Sequence, residues 1–147
     1  MVKRHLAWVS FGSQMLKRHL ARFSPLLLLL HSSFVLVVSL APAQTGGQGD
    51  GFGIPHFDKL AHAGMYLVMA ALAWLYLRSH RGFPNPEACV LSFGLAFAFG
   101  AAMEAAQLLV PGRSFSLLDA AANSVGALTG IALAPMLLGV RKGREAT

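Results

Sequence analysis

The sequence predicts an all-α membrane protein, built as a bundle of four transmembrane helices. Of its 147 residues, 55% are hydrophobic and only 12% are charged, and the mean hydropathy is +0.57. A soluble domain carries about a quarter charged residues, so this composition indicates a protein embedded in lipid. Four apolar runs can be drawn, and the charged residues crowd near their ends. Each run is predicted to be a helix, because a spanning segment must pair every backbone polar group within itself.

The remaining composition excludes several other classes. The net charge of +6 does not indicate nucleic-acid binding, because the basic residues flank apolar runs and form no basic, aromatic face. The single cysteine, Cys89, excludes an intramolecular disulfide and a multi-cysteine metal site. We therefore predict no nucleic-acid partner and no cofactor.

The first apolar run follows a basic arm at residues 1–22 and admits two interpretations. In the first, residues 23–43 form an uncleaved transmembrane helix. In the second, the basic arm, the apolar core and the Ala-Pro-Ala before Gln44 form a secretory signal, and cleavage leaves three helices. The arm is longer than a usual signal n-region, which favours the uncleaved helix. A Gly-rich loop at residues 44–57 follows in both cases.

The other three runs form a predicted core at residues 58–140. The helices are expected at about 58–77, 88–110 and 116–140. Each approaches or exceeds the roughly 20 residues that a helix needs to cross the hydrocarbon core. Pro111 and Gly112 predict a turn that makes the third and fourth helices antiparallel. A basic tail at residues 141–147 ends the chain.

The distribution of Lys and Arg predicts that both termini are cytoplasmic. All of these residues except Lys59 and Arg113 lie in the N-terminal arm, between the second and third helices, or in the tail. The loops at residues 44–57 and 111–115 are therefore predicted outside, and cleavage after Ala43 would leave this orientation unchanged. We expect a multi-pass membrane protein.

Acidic and histidine side chains gather at the predicted outer ends of three helices. Asp58 and His62 start the second helix. Glu104 lies within the last two turns of the third, and Asp119 opens the fourth. Helical rise puts Glu104 and Asn123 each about 10 Å from the intervening loop, and so at a similar depth. An ionised acid at the centre of a membrane helix costs about 2.5–3.5 kcal/mol, so such residues are functional-site candidates. The candidate acids or bases are Glu104, His62, Asp58 and Asp119.

Cationic and amide groups complete this predicted polar layer. Lys59 and Arg113 are predicted to hold an anion, because these side chains suit phosphate and other anionic headgroups. Gln107, Asn123 and Ser116 are predicted to orient or support the candidate acids and bases.

Simpler roles are open for several of these residues. Asp58 and Ser116 have the residue types and positions of helix N-caps. Glu104 could instead be a buried structural partner of Arg113 or Lys59.

Small residues continue the polar faces along the helices. On the fourth helix Asp119, Asn123, Gly126 and Gly130 follow steps of four, three and four residues, so they share one face. Gly100 extends the face of Glu104 on the third helix in the same way. Glycine stripes permit close helix packing in membranes, so the faces that bear acids are also predicted to meet another helix.

Together these residues resemble the VanZ-like family of small bacterial integral membrane proteins, named for a glycopeptide (teicoplanin) resistance determinant. The resemblance covers about residues 55–134 and does not include the first helix. The matching residues are Asp58, Lys59, His62, Tyr66, Glu104 and Gln107, and, within "GRSFSLLDAAANSVGALTG", Arg113, Asp119, Asn123, Gly126 and Gly130. The resemblance implies a multi-pass helical protein of the bacterial plasma (inner) membrane, sometimes linked to teicoplanin resistance or to cell-envelope polysaccharide loci. It implies no particular reaction.

The sequence favours two possible functions. The first is an outer-leaflet site that binds or modifies an anionic or lipid-linked cell-envelope component, with a contribution to teicoplanin resistance. The second is a structural module whose polar residues only lock helix packing, with a homo-oligomer or another membrane protein as the partner. A metal site formed by Asp58, His62, Glu104 and Asp119 is the weakest alternative, because no spacing requires it and Lys59 would repel a cation. We predict no metal.

Overall fold

The computed structural model describes residues 2–41 and 56–138, with side chains described from Gln14 onward. This part of the chain is all-helical and contains no strand. The helices are α1 at Val2–Leu40, α2 at Phe57–His80, α3 at Asn85–Gln107 and α4 at Leu117–Leu138. Most of the predicted Gly-rich loop and the whole basic tail lie outside the described residues.

All four helices are long and apolar enough to cross a membrane. The candidate spans are Gln14–Leu40, Phe57–His80, Asn85–Gln107 and Leu117–Leu138. The boundary predicted at residue 23 does not interrupt α1, which runs as one helix of 39 residues from Val2. The basic arm is therefore helical as well.

The contacts between helices define their relative directions. Lys59 of α2 pairs with Asp119 of α4, and a later residue of α2, Leu67, lies against Gly130. Residue numbers therefore rise together along α2 and α4, and the two helices are parallel. α1 runs antiparallel to α2, because His31 contacts Met65 whereas the earlier Ala21 contacts His80. The polar ends of α2 and α4 thus lie beside the C-terminal ends of α1 and α3.

The predicted glycine face of α4 is where α2 and α4 pack most closely. A Cβ atom at Gly126 would overlap the backbone carbonyl of Ala63, and one at Gly130 would overlap that of Leu67. Only residues without side chains allow backbones to approach this closely. The prediction that the acid-bearing face of α4 meets another helix is confirmed, and that helix is α2.

Two prolines lie inside helices, and each leaves a backbone carbonyl without its usual N–H partner. Pro25 of α1 cannot donate to Ala21, whose carbonyl instead accepts hydrogen bonds from Ser24 Oγ at 2.8 Å and His80 Nε2 at 2.9 Å. Pro135 of α4 likewise cannot donate to the residue-131 carbonyl, which the Cys89 thiol approaches at 3.9 Å. Freed carbonyls need a partner in lipid, since no water is present there. In both cases a neighbouring helix supplies the donor.

The connection between α3 and α4 forms the turn that Pro111 and Gly112 predict. The Arg113 amide donates to the Val110 carbonyl at 3.1 Å, and Gly112 has a φ of +78°. Proline at the second position and a positive-φ glycine at the third are the marks of a type II turn. α3 therefore ends at Gln107, three residues before the predicted end, because the chain then enters this turn.

Candidate functional site

An ion bridge joins the first turns of α2 and α4. Lys59 Nζ lies 2.5 Å from Asp58 Oδ2 and 2.5 Å from Asp119 Oδ1. The side chain of Asp58 is 47% exposed, whereas that of Asp119 is only 15% exposed. The bridge therefore runs from the surface inward, and Lys59 compensates the charge of the better-buried acid.

The N-cap role considered for Asp58 is wrong. α2 begins at Phe57 and its N-cap is His56, which has a left-handed φ of 58° and makes no side-chain capping bond. Asp58 instead lies within the first helical turn, where a negative charge still interacts favourably with the helix dipole.

One turn deeper, a second polar contact links α2 to α4. His62 Nδ1 donates to Asn123 Oδ1 at 3.0 Å. Because Oδ1 of the Asn123 amide faces His62, its Nδ2 faces away from His62. Nδ2 has no hydrogen-bond partner, although Asn123 is only 4% exposed. His62 therefore positions Asn123, and it is in neither of the ion pairs among the described residues.

Glu104 is buried at 1% exposure and its two carboxylate oxygens have different surroundings. Oε2 accepts the backbone N–H of Ser116 at 3.1 Å, just before α4 begins. Oε1 is buried and has no hydrogen-bond partner. Ser116 Oγ in turn accepts the backbone N–H of Asp119 at 3.2 Å, which confirms the predicted N-cap. The Ser116 main chain thus orients Glu104.

Gln107 and Arg113 contact α1. Gln107 is 2% exposed, and its Nε2 donates to the Ser39 carbonyl at 3.2 Å. Arg113 donates from Nε and Nη2 to the Ala41 carbonyl, at 3.2 and 3.1 Å. Within the described residues neither Arg113 nor Lys59 pairs with Glu104, so the alternative of a structural ion pair at Glu104 is not seen.

The sequence reading did not place Tyr66 among the site candidates. Tyr66 is 1% exposed, and its hydroxyl is buried without a hydrogen-bond partner. A Cβ at Gly100 of α3 would lie 3.1 Å from Tyr66 Cε1 and 3.3 Å from Asn123 Nδ2. Gly100 therefore makes room for both groups beside α3. The available signal was the i, i+4 spacing of His62 and Tyr66, which puts both on one face of α2.

A cleft between α3 and α4 lies beside these unpartnered groups. Its volume is about 230 Å³. The residues that line it are Phe97, Gly100, Ala101, Glu104, Phe115, Leu117, Ala120, Asn123 and Ser124. Glu104 and Asn123 lie at its buried side, whereas Phe97, Phe115 and Leu117 are 52%, 47% and 76% exposed. The cleft thus has a mainly apolar lining, with the buried residues Glu104 and Asn123 at its inner side.

The predicted acids do not converge on one point. Lys59 lies between Asp58 and Asp119, and His62 is paired with Asn123. No group of three or more His, Cys, Asp or Glu side chains that could hold a metal occurs in the described part of the chain. The four residues considered for a metal site are therefore distributed over separate contacts.

Four helices that can each span a membrane, with a polar layer across three of them, define a multi-pass helical membrane protein. The family model VanZ/LLP1 matches residues 6–138, which is nearly the whole chain, and the chain belongs to this family. The match includes α1, which the sequence resemblance did not cover. No curated protein and no solved structure matches the chain.

Proposed function

We propose that this VanZ/LLP1 family member binds the headgroup of a membrane lipid or lipid-linked envelope component in the cleft between α3 and α4. The observation that carries the proposal is that two residues lining the cleft each keep a buried polar atom without a hydrogen-bond partner, Glu104 Oε1 and Asn123 Nδ2. A buried polar group without a hydrogen bond costs about 1–3 kcal/mol. A ligand that hydrogen-bonds to these groups would remove that cost. In a purely structural network, we would expect these groups to be paired with each other or with the backbone.

The position of the cleft favours a ligand that arrives through the bilayer. Its rim residues Phe97, Phe115 and Leu117 are exposed on helices, or next to a helix, that can span a membrane. An amphiphile would place its polar group against Glu104 and Asn123 and leave its hydrocarbon chains outside, along the apolar rim. The volume of about 230 Å³ suits a headgroup rather than a whole lipid, since drug-sized ligands occupy roughly 300–1,000 Å³.

The leaflet to which the cleft opens depends on the orientation predicted from the distribution of Lys and Arg along the sequence. With both termini cytoplasmic, the first turns of α2 and α4 lie at the outer face of the plasma membrane. The cleft would then open to the outer leaflet, where lipid-linked envelope precursors are used. A contribution to teicoplanin resistance is the expected phenotype of such a protein.

Anion binding by Lys59 and Arg113 stays a prediction, and both side chains already have partners in the structure. Lys59 already lies between two carboxylates, and Arg113 donates to the Ala41 carbonyl. An anion would have to share or displace these partners. The proposal therefore rests on the hydrogen-bonding groups of the cleft and requires no catalytic step.

The structural alternative is favoured by a different set of contacts. Three polar side chains form bonds that join different parts of the bundle: Asp119, Gln107 and Arg113. Their substitution should lower the amount of folded protein in the membrane. Glu104 and Asn123 differ from them, because both residues line the cleft and each has one buried polar atom without a hydrogen-bond partner.

A pair of neighbouring alanines offers a direct test. Ala101 is exposed and lines the cleft, whereas Ala102 is equally exposed and does not. Ala101→Trp should fill the cleft and reduce the lipid that co-purifies with the full-length protein in mild detergent, and Ala102→Trp should not. Equal lipid retention by both folded variants would contradict the proposal.

In cells, membrane abundance should be measured beside teicoplanin sensitivity for Glu104→Gln, Arg113→Gln and Asp119→Asn. Normal abundance with lost resistance at Glu104 supports a ligand site. Loss of protein in all three variants supports the structural alternative, and unchanged abundance and sensitivity in all three contradicts both.

A further inference from the structure

We propose that the cleft recognises a primary ammonium group on a membrane lipid, with Glu104 as its counter-ion. The inference rests on the proposed function and specifies the headgroup that the cleft selects.

The charge inside the cleft is the first reason. Glu104 is the only charged side chain among the described residues that line it, and no Lys, Arg or His is among them. Neither ion pair in the described part of the chain includes Glu104. Its Oε2 receives only the neutral backbone N–H of Ser116. If Glu104 is ionised, a carboxylate at 1% exposure needs a cationic partner, and the described residues that line the cleft supply none.

The nearby cations of the protein are committed elsewhere. Lys59 is held by Asp58 and Asp119, and Arg113 is held by the Ala41 carbonyl. Neither supplies Glu104 with a counter-charge. An anionic headgroup would meet the Glu104 carboxylate unopposed, so the cleft disfavours it.

The hydrogen-bonding pattern indicates which kind of ammonium group the cleft would bind. Glu104 Oε1 is an acceptor and needs an N–H donor, which a primary ammonium has and a quaternary ammonium lacks. Asn123 Nδ2 is a donor without a partner, so it suits an acceptor oxygen. A headgroup with an ammonium a few bonds from an ester or phosphate oxygen offers both. The ethanolamine phosphodiester has this arrangement, and the glycerol phosphodiester does not.

Aromatic rings at the rim add to this preference. Phe97 and Phe115 both line the cleft and are about half exposed. A cation within about 6 Å of an aromatic ring is attracted to the face of that ring. The same rings provide an apolar surface for acyl chains. The expected ligand is therefore a lipid with an ammonium group and not a soluble amine.

The test compares three phospholipids that share identical acyl chains and differ only in their headgroups. Phosphatidylethanolamine has a primary ammonium, phosphatidylcholine has a quaternary one, and phosphatidylglycerol has none. Binding to the full-length protein in detergent micelles is titrated by native mass spectrometry. We expect phosphatidylethanolamine to bind at least tenfold more tightly than the other two. Soluble ethanolamine at the same concentration should not compete, and full competition would overturn the requirement for a lipid.

Two acids on α3 provide matched variants. Glu104→Gln keeps the shape of the side chain and removes its charge, so the preference for phosphatidylethanolamine should disappear. Glu87→Gln changes an exposed acid in the first turn of the same helix, and the preference should persist. Selectivity that survives in a folded Glu104→Gln protein would overturn the role of Glu104. The comparison on the native protein decides the headgroup even where this variant does not fold.

The Ala101→Trp variant separates this inference from the proposed function. If the three lipids bind the native protein equally and Ala101→Trp weakens all of them, ammonium recognition fails and the lipid cleft stands. If Ala101→Trp changes the binding of none of them, the proposed function fails as well.

Discussion

Gly126 of α4 lies so close to the backbone carbonyl of Ala63 on α2 that a Cβ at position 126 would overlap it. This contact holds the two helices that contribute Lys59, His62, Asp119 and Asn123. The polar pairs at the end of the bundle can form because the glycines below them remove the side chains that would separate the helices.

Alanine at Gly126 or Gly130 should therefore destabilise the protein by about 1–3 kcal/mol, as inserted methyl groups do in packed interiors. Gly64→Ala and Gly94→Ala are the controls, since a Cβ at either position meets no atom within 4 Å. They should be neutral or stabilising by up to about 1 kcal/mol, because alanine is the better helix former. Thermal unfolding of the purified protein in detergent measures both effects. Equal stability of all four variants would contradict the close packing.

Removing the Lys59 ammonium should have an effect that depends on Asp119. Lys59→Met leaves the 15% exposed Asp119 carboxylate without its cation and should cost about 1–3 kcal/mol, the usual penalty for an unsatisfied buried group. Adding Asp119→Asn should recover part of that loss. Asp58→Asn alone should change stability by less than about 0.5 kcal/mol, because its partner contact is exposed. A double-mutant cycle on unfolding in detergent checks the coupling, and strict additivity would contradict the bridge.

The Ser116 hydroxyl should stabilise the start of α4. Ser116→Ala removes the acceptor for the Asp119 N–H and should cost about 0.5–2 kcal/mol, whereas Ser116→Asp should retain the cap. Ser114→Ala, at an exposed position two residues earlier, serves as the control. The unfolding midpoint of each variant in detergent is the measurement. A loss at Ser114 as large as that at Ser116 would argue against capping.

α1 should remain attached in the mature protein. Its Val35 is fully buried in the bundle, and the Ser39 and Ala41 carbonyls accept bonds from the residues that follow Glu104. Removal of α1 would expose the Gln107 amide to lipid without an acceptor. A tag placed before residue 1 should therefore stay on the membrane-bound chain in an immunoblot of whole cells. Quantitative loss of the tag, with the C-terminal part retained, would establish cleavage.

The proposed orientation can be checked with a cysteine introduced at Gly49, which lies outside the described residues. In a background that carries Cys89→Ala, Gly49→Cys should react with a membrane-impermeant thiol reagent added to intact cells. Arg81→Cys, at the opposite end of α2, should react only after the membrane is permeabilised. The reverse pattern would place the cleft at the inner leaflet.

Hydropathy and glycine spacing were sufficient to predict the four helices, the α3–α4 turn and the packing face of α4. The predicted topology also placed Lys59, His62, Asp119 and Asn123 in one polar layer, but it did not predict the Lys59–Asp119 ion pair. These features follow from chain length and helical period, which are properties of the sequence alone.

The pairing of individual atoms could not be predicted in the same way. The partner of Glu104 is a backbone amide of Ser116, and the free space beside Tyr66 is created by Gly100 on a different helix. Both depend on how each helix is rotated about its own axis. A rotation of a few tens of degrees would exchange these partners without changing the hydropathy pattern.

The attachment of α1 has a consequence for how its sequence can vary. His31 of α1 bonds to the Met65 carbonyl, while His80 bonds to the Ala21 carbonyl in the middle of α1, and Gln107 and Arg113 bond to the Ser39 and Ala41 carbonyls at its C-terminal end. Every residue type presents a backbone carbonyl, so these bonds do not require a particular side chain at the accepting positions Ala21, Ser39 and Ala41. The donors act through their side chains, so replacing His80, Gln107 or Arg113 with a residue that cannot donate would remove the bond.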